Sequence, residues 1–395
     1  MCIRDSEVAT PKKRKPRVSG ETKPRSKIRK NTTVQIDGSA VKVDDIYKLI
    51  QNQDVKELAN GINNDEVKNL VSSYYTIQDH RIRSHAQAEA FKKQNKPVEA
   101  VAQMDEFMYS LEQRIFNIMS EWTKRPDNKV AQWAVSQVGI GPVLAAGWIA
   151  NIDVHKAKTA GAVLKYIGHD PNEQWITKED KLKEIITETL NIQDQRVIDL
   201  TTVELICQRF NRSVSLTKGF LERKGYKDFN KISMEDMVKS LKICPYNQEM
   251  KTLAWKTWQS FNKVRNNQNA VYGHLFAKRQ AYEQLKNDNF EYKDQADIGM
   301  KRVSKSTEAY KHYKEGKLPP GHILSRSGRF AVKIWVSHLH AIMWWNEFGT
   351  MPIRPFAMNI LGHKDYIKIP QDEIVNFPQE YYDLGTVVHG LDLED

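Results

Sequence analysis

The stretch AQWAVSQVGIGPVLAAGWIANI, residues 131–152, decides how this chain is read. An apolar helical pattern runs into Val138, Gly139, Ile140 and Gly141, and a second one begins at Pro142. Proline suits a first helical position, because the N–H it lacks has no helical partner there and its fixed φ already matches the helix. Glycines at 139 and 141 permit a left-handed or tightly turned backbone and remove side chains that would stand between the chain and an anion. Val138 and Ile140 are expected to anchor the turn inward, and Ala145 and Ala146 to let the second helix pack closely. The spacing predicts a helix-hairpin-helix in which the free N–H groups and the positive dipole end of the second helix face a phosphate. Such a contact reads no bases, since phosphates are alike under every sequence. The plainer alternative is an ordinary tight turn between two core helices.

Working outward, 395 residues with 40% hydrophobic content give length for two or three domains. Helical periodicity dominates, so the expected fold is all-α (mainly α), a helical bundle with a central helix-hairpin-helix and a disordered basic N-terminal arm. The expected segments are a basic tail over 1–35, a helical region with a helical hairpin over 36–126 and the hairpin core over 127–171. A helical insertion over 172–246, a C-terminal helical lobe over 247–348 and an irregular tail over 349–395 follow. Within them, TVQI reads as a short strand and a helix is expected from about Val43 to Asn60. From Asp65 onward Val67, Leu70, Val71, Tyr74, Tyr75 and Ile77 share one helical face, and Pro97 opens a second helix reaching about Thr123. For TTVELICQRFNRSVSLTKGFLERKG, residues 201–225, two ordinary packed helices compete with a helix-turn-helix. In the latter, Leu205 and Ile206 precede Cys207, Asn211 takes the turn, and Ser215 to Arg223 form the recognition helix. Helix resumes from Met250, and a last long helix follows Pro319 and Pro320 to about Phe348.

The net charge of +11 is unevenly spread, with ten Lys or Arg against one acid in residues 11–30, PKKRKPRVSGETKPRSKIRK. That arm has too few apolar residues for a core, so it is predicted to be disordered and to attract phosphates electrostatically. A solubilising tail is the plainer reading. PKKRKPRV also has the composition of a nuclear-import signal, although runs this short recur by chance. The first six residues, MCIRDS, resemble translated linker sequence and carry no structural expectation. Cys2, Cys207 and Cys244 are too few and scattered for a disulfide framework or a zinc cage, which fits a reducing compartment. No apolar stretch reaches the ~20 residues of a spanning helix and no signal peptide is recognised. The expected location is therefore cytoplasmic, in a bacterial or phage setting, with a nuclear destination left open and no membrane partner.

VGIGPVLAAGWIANID (138–153), followed by KTAGAVLKYIGHDP (158–171), resembles the C-terminal domain of the DEDD-type insertion-sequence transposases, a class with a RuvC-like N-terminal domain and a catalytic serine. In that family a GIGP hairpin precedes a helix ending in a Gly-Leu-Pro-type turn, matched here by Gly139 to Pro142 and by Gly168, His169, Asp170 and Pro171. KTLAWKTWQSFNKVRNNQNAVYGHLFAKRQAYE (251–283) resembles a later helical segment of the family. The likeness covers roughly 128–171 and 247–285. It implies a role in DNA transposition, recombination or phage DNA metabolism, with duplex or branched DNA as partner; a homo-oligomer stays open and no cofactor is expected. Where the family carries its nucleophilic serine, this chain reads NEQWITKEDK (172–181), and residues 31–127 lack the strand-borne acids of a RuvC-like nuclease. The one acid after the strand, in VQIDGSAV, makes no metal site. No catalytic residue is assigned. The resemblance extends to phage and mobile-element proteins that keep the hairpin domain without the nuclease. Two other functions stay open: an active transposase or recombinase whose nuclease is supplied elsewhere, and a structural or interaction protein in which VGIG is only a turn.

Lys251, Lys256, Lys263, Arg265, Lys278 and Arg279 alternate with Trp255, Trp258, Phe261 and Tyr272. This is the pattern of helices with an apolar inner face and a basic outer one, the aromatics in the core and the cations in a DNA-backbone footprint. SRSGRF, residues 325–330, sets Arg326 and Arg329 ahead of the last long helix, either to cradle a phosphate or to cap that helix. His322, His338 and His340 invite a metal, yet His338 and His340 point about 200° apart on a helix. Surface or capping roles are expected for them, and no metal site.

Overall fold

Asn63 starts the first long helix. Its Oδ1 accepts the N–H groups of Asp65 and Glu66 at 2.9 and 3.0 Å, while the Glu66 carboxylate accepts the Asn63 N–H at 2.9 Å. This reciprocal box satisfies donors that a helix N-terminus leaves orphaned. The computed structural model describes residues 33–36, 39–42, 55–170, 179–193, 197–229, 231–242, 244–355, 358, 367–370 and 373–382. Among them the fold is all-α in character, with fifteen α-helices beside one antiparallel pair, β1 (Thr33–Ile36) and β2 (Ser39–Lys42). β1 is the TVQI strand, and β2 supplies a partner that the sequence reading did not include. Of the helix expected from Val43, the described part is α1 (Val55–Gly61). The basic arm of residues 11–30 lies outside the described residues.

α2 (Asn64–Lys93) and α3 (Glu99–Thr123) form the expected antiparallel hairpin, turned at Asn95 with φ of 53°. The chain divides into two compact units, and the division crosses both helices: Met1–Asp54 with Ile77–Arg114 form one, Val55–Thr76 with Ile115–Asp395 the other. In the first unit Glu112, 3% exposed, accepts from Arg81 and from Gln78 (2.9 Å), and His85 faces Asp105 at 3.0 Å.

The second unit holds α4 (Lys129–Ser136), α5 (Pro142–Asn151) and α6 (Ala160–Tyr166). The insertion contributes α7 (Glu179–Ile192), α8 (Leu200–Arg209), α9 (Val214–Arg223) and α10 (Met234–Leu241). These four close around their own core of Leu182, Ile186, Ile206, Cys207, Leu221 and Met237. Asn211 does take the turn between α8 and α9, with φ of 50°, and Ser213 caps α9. Then come α11 (Gln248–Val264), α12 (Val271–Asp288), α13 (Lys293–Met300), α14 (Glu308–Lys314) and α15 (Pro320–Phe348). α15 packs on α4, α6, α11 and α12, and α11 packs on α5, so the hairpin segment and the C-terminal helices share one core. Stacked rings fill it: Trp133 on Trp335 at 5.5 Å, Trp258 on Phe276 at 6.1 Å and Phe261 on Tyr272 at 5.2 Å.

Three expectations are corrected. SRSGRF lies inside α15, whose N-cap is Pro319, so it does not precede the helix. His338 and His340 are buried core residues, not surface ones; His338 bridges the Tyr272 hydroxyl (2.9 Å) and the Ile367 carbonyl (2.9 Å), and His340 donates to the Ala157 carbonyl at 2.7 Å. Trp255 is 52% exposed, whereas Trp258, Phe261 and Tyr272 are buried as expected. Past α15 the described chain is irregular apart from a short 3-10 turn, Gln379–Tyr382, and is tied down where Trp133 donates to the Pro370 carbonyl at 3.1 Å. Among the described residues no helix is long and apolar enough to cross a membrane.

Glu283, 1% exposed, holds α12 to α15: it accepts from Arg279 and Arg326, each at 2.6 Å, and from the Tyr292 hydroxyl at 2.5 Å. Burial opposes its ionisation, but the hydrogen bonds from Tyr292 and Arg326 and the charges beside it win and hold its carboxyl below the usual glutamate range. A depressed carboxylate contributes stability above its unfolded pKa and loses it as pH falls through the folded one. Glu283→Gln is therefore expected to cost about 1–3 kcal/mol near neutral pH. In denaturant melts the gap from the parent should narrow on acidification.

Candidate nucleic-acid interface

The hairpin between α4 and α5 is shaped by one left-handed residue. Gly139 has φ of 103°, a conformation that L side chains rarely adopt. Its carbonyl is turned onto α11, where the Ser260 hydroxyl donates to it at 2.6 Å. A β-carbon there would also come within 3.1 Å of Val264 and 3.2 Å of Phe261. Ile140 is buried as an anchor at 4% exposure, while Val138 is only half-buried. Gly141 differs from Gly139. With φ of −87° and ψ of 169° it is extended, a conformation open to any residue, and nothing lies within 4 Å of its would-be β-carbon. The requirement for glycine in the turn thus rests on 139 alone.

Gly141 is exposed and is the N-cap of α5, with Pro142 next to it and no side chain capping the helix. The first backbone bond of α5 runs from Ala145 N–H to the Gly141 carbonyl at 3.0 Å. Among the described residues no acceptor takes the N–H of Val143 or Leu144. The end of α5 therefore keeps donors and a partial positive charge without a protein partner.

The structure sorts the sequence-identified cations by their surroundings. Lys263 and Arg265, both exposed, sit in and just beyond the last turn of α11, beside the Ser260 and Val264 that touch the hairpin. Among the described residues Arg265 bonds only to the neutral amides of Asn262 and Gln280, at 3.1 Å each, and so keeps its charge unbalanced by these contacts. Arg279 and Arg326 are committed to the buried Glu283, which removes them from a phosphate footprint. Lys251 and Arg329 gather elsewhere, at the start of α11 and on α15. Lys256 lies 3.9 Å over the Tyr75 ring, and Lys278 is exposed on α12.

Ser260 and Lys333 were missed by sequence reasoning, as was the burial of His169. Lys333 had a signal, four residues beyond Arg329 on one helix. Ser260 had none. Among the described residues no group of three or more His, Cys, Asp or Glu is placed to hold a metal, and Cys207 and Cys244 are free thiols.

Paired alanine variants test the geometry of the turn. Gly139→Ala forces a side chain into the left-handed region against Phe261 and Val264 and should cost about 1–3 kcal/mol in denaturant melts. Gly141→Ala should be neutral or raise stability by about 0.4–1 kcal/mol. Comparison with known protein families, with curated proteins and with solved structures found no match.

Proposed function

We propose that this protein binds nucleic acid, duplex or branched, by its phosphate backbone through the hairpin at Val138 to Pro142, as a relative of insertion-sequence transposases. The observation that carries the reading is the uncapped, exposed N-terminus of α5, presented by the Gly139 turn with Lys263 and Arg265 on the neighbouring end of α11. Unpartnered N–H groups at a positive helix end suit an oxyanion, and nearby cations add affinity by releasing counterions. Nothing in this arrangement reads base edges, so binding is expected to be indifferent to sequence. The competing reading, a turn that only joins two core helices, accounts for Gly139 and Ile140. It gives no reason for the exposed, uncapped helix end.

Gly141→Glu separates the two readings. The site has open space and an ordinary φ, so the variant should fold like the parent, while its carboxylate occupies the place of the anion. Affinity for two duplexes of unrelated sequence, measured at matched salt, should fall at least about tenfold, or ~1.4 kcal/mol. Equal affinity in a variant that melts like the parent would sink the reading.

The salt dependence gives a second test. Removing residues 1–30 deletes most of the chain's net positive charge, so the slope of log affinity against log salt should flatten. Lys263→Gln should lower that slope by about one, equally on all sequences.

A further inference from the structure

Away from the hairpin, cations collect where α6, α11 and α15 meet, with few acids to balance them. His322, Arg326, Arg329 and Lys333 follow one another on α15 at spacings of four, three and four, which places them in one stripe. Arg326 is spent on Glu283. Arg329 and Lys333 have no carboxylate within 4 Å among the described residues, and Asp170 is the acid whose charge acts on Lys333. Lys251 approaches from the first turn of α11, its ammonium 3.9 Å above the Tyr246 ring. Gly168 lies against the same ring, where a β-carbon would fall 2.6 Å from Tyr246 Cγ. Asn247 closes the junction: its N–H donates to the Tyr166 carbonyl at 2.8 Å and its Nδ2 to the Tyr166 hydroxyl at 2.9 Å. The loop after α6 is thereby held against the start of α11, while α6 itself packs on α15.

His169 occupies that loop at 7% exposure. Its Nδ1 lies 3.2 Å from the Ile167 carbonyl, a contact that puts the ring proton on Nδ1 and leaves Nε2 as a lone pair. Nε2 is buried and has no hydrogen-bond partner among the described residues. Burial keeps the ring neutral, opposed by the Ile167 carbonyl and assisted by Lys333, Arg329 and Lys251, which together bring its pKa down to about 4. Arg329 and Lys333 are themselves pushed below their ordinary values, first by burial and then by neighbouring cations. A buried acceptor under the charge of three cations, on which, among the described residues, only Asp170 (on Lys333) and Glu283 (on Arg329) act as acids, is the reverse of a self-satisfied core cluster. An oxyanion would pair the cations, and a protonated His169 would then donate to it.

We propose that Lys251, Arg329, Lys333 and His169 form a phosphate-binding site at the junction of α6, α11 and α15. The ligand is a phosphate group, carried on a nucleic-acid backbone or free in solution, and binding draws a proton onto His169 Nε2. Among the described residues the charges that act on His169 are those of Lys251 from α11 and of Arg329 and Lys333 from α15; Asp170, in the same loop, acts on Lys333, Glu283 acts on Arg329, and Arg326 and His322 stand further along the stripe. The site is separate from the hairpin and does not depend on it.

The test uses the full chain and the histidine ring signals in NMR, at constant ionic strength. Inorganic phosphate, but not chloride, should shift the His169 signals and raise the midpoint of its titration from about 4 into the ordinary histidine range near 6.5. The double variant Arg329→Gln, Lys333→Gln, checked for an unchanged melt, should bind phosphate at least about tenfold more weakly, because two charge-assisted contacts are lost. A short DNA duplex is the second arm. If it shifts the same signals and phosphate competes with it, the site takes backbone phosphate; if phosphate acts and the duplex does not, the site takes a free phosphate. The proposal is overturned if His169 responds to neither, or if the double variant binds phosphate like the parent. Gly141→Glu should leave the response to inorganic phosphate unchanged, so this site and the hairpin fail separately.

Discussion

The hydrogen bond from Trp148 Nε1 to Thr257 Oγ1, 2.9 Å long and fully buried, sets the register on which the rest of this structure depends. The Thr257 hydroxyl spends its own proton on the Leu253 carbonyl at 2.9 Å, so its lone pair is free to accept the indole N–H. α5 and α11 lie antiparallel, and a slip along their axes would strand a buried donor at a cost of about 1–3 kcal/mol. One turn further along α11, Ser260 meets the Gly139 carbonyl, so the bond that fixes α5 also fixes the height of the hairpin. Trp335 and Trp344, equally buried, have indole nitrogens with no acceptor among the described residues. They contribute by packing, and Trp148 also fixes register.

Electrostatics then divides cations that look alike in sequence. Arg279 and Arg326 are four and forty-three residues from Glu283, yet both meet its carboxylate in a nearly dry site and cannot also serve an external anion. Lys263, Arg265, Arg329 and Lys333 have no carboxylate within ion-pair distance among the described residues. The difference lies in tertiary placement. Net charge, even charge on one helix face, overstates how much of it is available to a ligand.

Much of the fold was legible because local signals agreed with the tertiary outcome. Pro142 and Pro320 stand at helix starts, Asn211 takes a left-handed turn, and Val67 and Val71 of the expected apolar face are buried. SRSGRF misled because small polar residues usually mark a break. Inside α15 Ser325 and Ser327 return their hydroxyls to the Gly321 and Ile323 carbonyls at 2.8 and 2.9 Å, which satisfies them within the helix. Gly328 is there for space, since a β-carbon would fall 2.5 Å from the Trp258 ring. Trp255 was misplaced by alternation alone; on a helical wheel it falls about 120° from the centre of the buried face of α11. α13 and α14, with eight and seven residues, are too short to show a period. The surroundings of His169 come from three helices distant in sequence, and no local pattern encodes them.

The antiparallel pairing of α5 and α11 also bears on what the hairpin end demands. There the positive end of α5 meets the negative end of α11, and the two dipoles partly cancel for any ligand approaching from outside. A helix N-terminus in that position attracts an anion less than an isolated one would. Lys263 in the last turn of α11 and Arg265 at its C-cap offset the opposing dipole, restoring a positive field at the hairpin. At the opposite end of α11 the arrangement inverts. The helix presents its own positive end, and Lys251 in its first turn adds to that end where Lys263 and Arg265 must first cancel an opposing one. The same helix that fixes the core register thus gives its two ends different electrostatic tasks, so equal numbers of cations at the two ends would not bind a phosphate equally well.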